Sequence, residues 1–339
     1  MDAKDPTTNH NHAPATTITH ASNITMVSQG ASNDLLLLET LPRHPDISNY
    51  WTELVPGSRD GDMGRIWSWM DSPLTKELVF WIHAPAGLGK SAFARKLKEE
   101  LRSQHRLAAF IFFRRLPLEW GPETVIRLIG AEIARIHREA VAAVARAVHQ
   151  CHGASLGLHV EKFIRDPVLS LRLPHPLIII MDGLTEWTSH GHFIEHLAQL
   201  APYPSLIRFV ILGRSEPREG RQNVHIRSYK LAPVSPEFMA RYLNDRFDII
   251  EWKDGGRAPP EDVLRLAALA GGDFTRMEEV VSIIFDLPAS SYDDIPNSIY
   301  NMALSIPLDT PVDRINHKIT LNRVYLWSSA TGSPNPQGI

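Results

Sequence analysis

Four short apolar runs constrain the fold of this chain more than any other feature. LVFWIH (78–83), LAAFIFF (107–113), PLIIIMD (176–182) and IRFVILG (207–213) lack the polar–apolar alternation of a half-exposed strand. A strand with no polar face must be covered on both sides, as it is inside a parallel sheet. NVHIRSYKL (223–231) is a weaker fifth run. Segments of helical period separate the runs. Phe93, Leu97 and Leu101 share one face over 90–104. Ile126, Ile129, Ile133, Ile136, Ala140, Val144 and Val148 recur every three or four residues over 122–150, a packing stripe on one long helix or a helix pair. The expected fold is therefore α/β, a three-layer sandwich on a five-stranded parallel sheet. A small helical domain follows, with helices at 236–250, 260–270 and 274–286.

Composition sets the domain limits. Residues 1 to about 33 are rich in Thr, Asn, His, Ala and Ser, have little to bury and are expected to be disordered. DLLLLETL (34–41) reads as a short helix docking on the body. Ile66, Trp67 and Met70 sit at helical spacing in a helix that Asp71, Ser72 and Pro73 should end. The expected divisions are an N-terminal segment 1–44, an α/β domain 45–232, a helical subdomain 233–290 and an irregular tail 291–339. No repeat of solenoid or propeller period is present.

Charge and cysteine content exclude several classes. The 339 residues carry a net charge of -3, with no basic stripe of the kind nucleic-acid binders show. No apolar run approaches the roughly 20 residues of a membrane span. The N-terminus lacks the basic start and apolar stretch of a secretory signal, so the Asn23-Ile24-Thr25 acceptor match has no route to be used. One cysteine, Cys151, fits a reducing compartment and points to the cytoplasm. The sixteen histidines form no Cys/His set with zinc spacing.

The turn after the first run carries the chemistry. APAGLGKS (84–91) ends in Gly-Lys-Ser and opens the next helix. A loop whose backbone N–H groups all face inward needs residues that take positive φ, and Gly87 and Gly89 supply them. Residues Ala84, Pro85, Ala86, Gly87, Leu88, Gly89, Lys90, Ser91 and Ala92 would then cradle phosphates. Lys90 would reach the β- and γ-phosphates, and Ser91 would ligate Mg²⁺. The helix N-terminus adds its positive end. Ala84 stands in the slot that many such loops fill with glycine, and its methyl is harmless if the residue keeps negative φ. In P-loop enzymes an aspartate ending a neighbouring apolar strand holds the metal, and Asp182 is placed for that. Glu186, four residues on, would orient or deprotonate water. Arg214, ending the fourth run, is either a sensor of the γ-phosphate or a surface ion pair.

With WIHAPAGLGKSAFA, LIIIMDGLTEW and FVILGRSEP in view, the chain resembles the NACHT-type (STAND) P-loop NTPases of fungi, a group described by similarity to the nephrocystin-3 N-terminal region. The resemblance covers roughly residues 45–300. It takes in LVPGSRDGDMGRIWSWM before the loop and LAALAGGDFTRMEEVVSII in the helical part. It implies a signalling switch whose diphosphate state is closed and whose triphosphate state assembles with itself or with protein partners. By position it implies Lys90 and Ser91 for phosphate and Mg²⁺, Asp182 for the metal, Glu186 as the acidic partner and Arg214 as the sensor. Thr185 stands where the family commonly has a further aspartate. The resemblance also makes 291–339 an incomplete winged-helix-like region. The expected cofactors are Mg²⁺ and ATP (or GTP). No Asn-Lys-x-Asp guanine-recognition stretch occurs, which favours ATP. A slow nucleoside triphosphatase is expected, with a non-hydrolysing nucleotide-binding module or truncated decoy as the alternative. Nucleic acid and membrane are not expected as partners.

Overall fold

The computed structural model describes residues 33–45, 53–117, 119–217, 224–248 and 260–285. The expected disorder of the first thirty-odd residues and the character of the tail 291–339 lie outside the described residues. The chain divides into two units, one made of 1–44 with 119–174 and the other of 45–118 with 175–339.

The second unit is built on the sheet. Its strands are β1 (Val79–His83), β2 (Leu107–Phe112), β3 (Leu177–Asp182), β4 (Ile207–Gly213) and β5 (Ile226–Lys230), in the order β2-β3-β4-β1-β5 with every pair parallel. Every residue of β1 to β4 is buried, as their unbroken apolar character requires. β5 is an edge strand and only partly buried, which is why its sequence reads weakly. In register, His83 pairs with Gly213, and Asp182 pairs with Leu212 on one side and Phe112 on the other. The C-terminal ends of β1 to β4 thus finish almost level, and the loops that leave them share one edge.

Helix α2 (Asp60–Asp71) buries Ile66, Trp69 and Met70. The expected Trp67 is only partly buried and donates its indole N–H to Glu100 at 3.1 Å, so Trp69 takes the core place. Helix α3 (Lys90–Ser103) buries Phe93, Ala94, Leu97 and Leu101, the face its spacing predicts. These two helices and one sheet face form a single core with Phe80, Ile82, Phe110, Ile180 and Leu212. After β3 comes α8 (His190–Leu197). After β5 come α9 (Pro236–Phe247), α10 (Pro260–Ala270) and α11 (Phe274–Phe285), close to the expected bounds.

The first unit is helical. A short helix α1 (33–39) leads to Leu41, and Pro42 accepts from the Arg135 guanidinium at 3.3 Å. The 122–150 stripe resolves into the helix pair α4 (Pro122–Ile136) and α5 (Val141–Gln150), because His137 is extended between them. Ile136, at the break, is exposed. A continuous helical stretch then follows, α6 (Leu156–Val160), a π-helical turn (Glu161–Arg165) and α7 (Asp166–Leu171).

Candidate nucleotide-binding site

The loop between β1 and α3 has the shape its glycines suggest. Gly87 (φ 81°) and Gly89 (φ 79°) are both left-handed. Among the described residues the non-glycines with positive φ are His105 and Arg172, so Ala84 keeps negative φ and its methyl carries no strain. β1 ends at His83, and beyond it the Ala84 N–H still donates to the Gly213 carbonyl at 3.2 Å. Ala84 and Leu88 are buried in the core and anchor the loop from behind. The Arg59 guanidinium, 3% exposed, braces it further. It donates to the Leu88 carbonyl at 2.8 Å and to the Ala232 carbonyl at 2.6 Å, and pairs with Asp62 at 3.2 Å.

Lys90 folds back over this loop. Its Nζ donates to the carbonyls of Ala84 (2.7 Å) and Pro85 (2.6 Å). Burial pushes its ammonium down to about 8, with the nearby Asp182 opposing that shift and Arg114 and Arg214 adding to it. Asp182 ends β3 at 2% exposure. Burial pushes its carboxyl up to about 6, against the Ser91 hydroxyl that donates to it and the charges of Arg114 and Lys90. Its Oδ2 is buried without a hydrogen-bond partner in the structure. A buried, unpartnered carboxylate oxygen is costly unless something else uses it. Two hard oxygen donors on adjacent elements, one with a free lone-pair face, suit Mg²⁺, which takes few protein ligands and completes its shell with water and phosphate. Ser91 and Asp182 would hold it. β3 is not, however, the neighbour of β1. β4 lies between them, and Asp182 reaches Ser91 because α3 crosses the sheet end toward β3.

Glu186 lies in the short 3₁₀ turn after β3. Arg114 Nε contacts both of its carboxylate oxygens at 3.0 Å, and Arg214 Nε contacts one at 3.2 Å. Arg214 is therefore in an ion pair, and its partner is Glu186. Its backbone N–H donates to Thr185 Oγ1 at 3.0 Å. Thr185, uncharged, thus joins the ends of β3 and β4. Arg114 follows β2 directly, in the 3₁₀ turn Phe113–Arg115. No motif marks it, and only its position after a buried strand gives a signal.

A cleft of about 340 Å³ connects these groups. Lys90, Ser91, Asp182, Glu186, Arg114 and Arg214 line one end; Leu54, Val55, Tyr242, Phe274 and Glu278 also face it. Tyr242 and Phe274 meet edge to face, with centroids 5.8 Å apart. Sequence reasoning missed these last residues because they come from three separate segments and share no spacing. The helical segment also touches the loop. Phe274 N–H donates to the Gly87 carbonyl at 3.0 Å, and Asp273 caps α11 by accepting from Thr275 (2.9 Å) and Arg276 (3.2 Å). A Cβ on Gly87 would stand 2.0 Å from the Asp273 carboxylate.

Residues 62–214 match the family model described as nephrocystin 3, N-terminal. Sequence comparison with curated proteins finds no significant match. Among solved structures, Cdc6p of Pyrobaculum aerophilum is similar at 17% identity and a TM-score of 0.43, over 74% of this chain and 65% of that one. A signal transduction ATPase with numerous domains from Pyrococcus horikoshii, bearing a tetratricopeptide repeat sensor, gives 16% identity and a TM-score of 0.46 over 78% of this chain and 34% of that one. The ORC1 protein of Aeropyrum pernix, solved in complex with DNA, gives 16% and 0.42 over 83% and 68%. Likeness of that degree carries no inference about activity or partners.

Proposed function

We propose that this chain, whose residues 62–214 carry a nephrocystin 3 N-terminal domain, is a nucleotide-binding signalling NTPase of the NACHT/STAND type. It binds Mg-ATP, or GTP, at residues 84–92 and hydrolyses it slowly as a conformational switch. The observation that carries this reading is the meeting of Ser91 with the half-unpartnered Asp182 carboxylate beside Lys90, at the mouth of a loop with two left-handed glycines. In that arrangement the loop N–H groups and the α3 N-terminus receive phosphate oxygens. The Lys90 ammonium leaves the loop carbonyls for the β- and γ-phosphates. Ser91 and Asp182 would hold Mg²⁺, which would supply charge neutralisation of the phosphates. Glu186 takes the proton of the attacking water once its carboxylate is free. Activation by self-assembly or protein partners, in a cytoplasmic setting, belongs to the same reading.

One feature favours a second reading, nucleotide binding without turnover. Two guanidiniums occupy the Glu186 carboxylate, so its oxygens are engaged by Arg114 and Arg214 and not open to a water. Titrating the protein with Mg-ATP, Mg-GTP and Mg-ADP while following phosphate release separates the two. A hydrolysing switch releases phosphate, and Glu186→Gln traps bound triphosphate. In a binding module Glu186→Gln changes neither quantity. Absence of nucleotide binding would sink both.

A further inference from the structure

Arg114 is unaccounted for by the loop and metal chemistry, yet it makes the most complete side-chain contact in the cleft. Its Nε stands 3.0 Å from each oxygen of Glu186, and its side chain is 44% exposed. The stem crosses close to Gly183, where a Cβ would lie 3.6 Å from Arg114 Cγ and 3.9 Å from Glu186 Cδ. Glycine is needed there for its left-handed backbone (φ 80°), and the added contact would be an ordinary van der Waals one. β2 pairs Phe112 with Asp182, so Arg114 leaves the sheet two residues beyond the metal carboxylate's partner. Its charge acts on both Asp182 and Lys90, which places it within the electrostatic reach of any bound phosphate chain. Arg214 contacts the same Glu186 through one nitrogen and one oxygen, and its backbone is tied to Thr185.

Lys90, Arg114 and Arg214 meet Asp182 and Glu186 at one end of the cleft, and Glu53 and Glu278 stand elsewhere in its lining. A diphosphate is met by the loop and Lys90. A terminal third phosphate brings further negative charge toward the Glu186 end, where a fork-shaped guanidinium binds phosphate oxygens at least as well as a carboxylate. We propose that Arg114 is the residue by which this site tells a nucleoside triphosphate from a diphosphate: with no third phosphate its guanidinium holds Glu186, and the γ-phosphate draws it away, leaving that carboxylate with its single contact to Arg214. Sensing is then an exchange of ion-pair partners at Arg114. The inference rests on the nucleotide reading of the cleft.

Calorimetric titration of the full chain with Mg-ADP and with a non-hydrolysable Mg-triphosphate analogue tests it, on the wild type, Arg114→Gln and Arg114→Lys. The expected result is a preference of the wild type for the triphosphate and an approximately tenfold loss of triphosphate affinity in Arg114→Gln, the scale of one charge-assisted contact. Diphosphate affinity stays within about twofold of wild type in that variant, which also shows that the site is folded. Arg114→Lys recovers part of the preference. An unchanged triphosphate-to-diphosphate ratio in Arg114→Gln overturns the proposal, as does an equal loss of both affinities. A wild type that binds neither nucleotide overturns the nucleotide reading and this inference with it, a failure distinct from the first two.

Discussion

At the scale of single residues, the site is a set of charges held in unfavourable surroundings until a ligand arrives. Asp182 is the clearest case. Its carboxyl titrates near about 6, above the value near 3.8 that it has in the unfolded chain. The native state therefore holds the proton more tightly, and the nucleotide-free protein gains stability as pH falls from about 6 toward 4. Asp182→Asn removes the buried charge, so it is expected to stabilise the nucleotide-free protein by about 2 kcal/mol in a denaturant titration at pH 7. The same variant loses the Mg²⁺ dependence of nucleotide binding. In the wild type, Mg-nucleotide affinity needs Asp182 charged and Lys90 charged, so it falls below about pH 6 and again above about pH 8. A flat profile across that range, or an Asp182→Asn protein that is less stable, contradicts the assignment. The position of Lys90 was legible from the local spacing of strand, glycine turn and helix, and that of Asp182 from its place at the end of another buried strand. Arg114 was not, since a side chain that acts by crossing from one strand end to another leaves no local pattern. Arg214 was placed at the correct edge, but its partner Glu186 follows from the strand order, which spacing does not reveal.

At the scale of elements, the buried strands were the easiest to read and the edge strand the hardest. β1 to β4 have no polar face, and the sheet buries each of them completely. β5 has only half-buried and exposed positions, so its apolar signal is diluted. The order of the strands was beyond sequence reasoning, and β4 lies between the loop strand and the acidic strand. Helix α2 shows why the core residue was assigned to Trp67 when Trp69 holds the place. The C-terminal carbonyls of this helix are bound by an arginine far away in sequence. Arg208, 2% exposed, donates to the carbonyls of Trp69 (2.6 Å), Met70 (2.9 Å) and Ser72 (2.8 Å). Arg106 adds a bond to Asp71 at 2.6 Å. These guanidiniums supply partners for helix-end carbonyls that would otherwise be buried unpaired. Arg208→Ala is expected to destabilise the protein by about 3 kcal/mol in a denaturant titration, since it orphans several acceptors and leaves a cavity. A loss under about 0.5 kcal/mol, the range of a surface change, would show that water replaces the guanidinium freely.

At the scale of the whole molecule, the unit formed by 45–118 and 175–339 contains every residue assigned to the site. Its sheet end carries the residues proposed for phosphate and metal, and its helical segment adds Tyr242, Phe274 and Glu278 to the same cleft. The Phe274 N–H, which donates to the Gly87 carbonyl, links that segment to the loop. The family likeness was readable because the glycine loop and the acidic strand end lie within 62–214, the residues that the family model matches. The cleft that joins them to the helical segment was not, because it depends on how distant segments pack. All of this requires that the loop at 84–91 binds phosphate through its amides and Lys90. The most direct measurement is calorimetric titration of Mg-ATP into the wild type and into Lys90→Ala. Saturable binding by the wild type and its loss in Lys90→Ala, with an unchanged melting temperature, is the predicted result. Equal affinity in the two proteins would contradict the account.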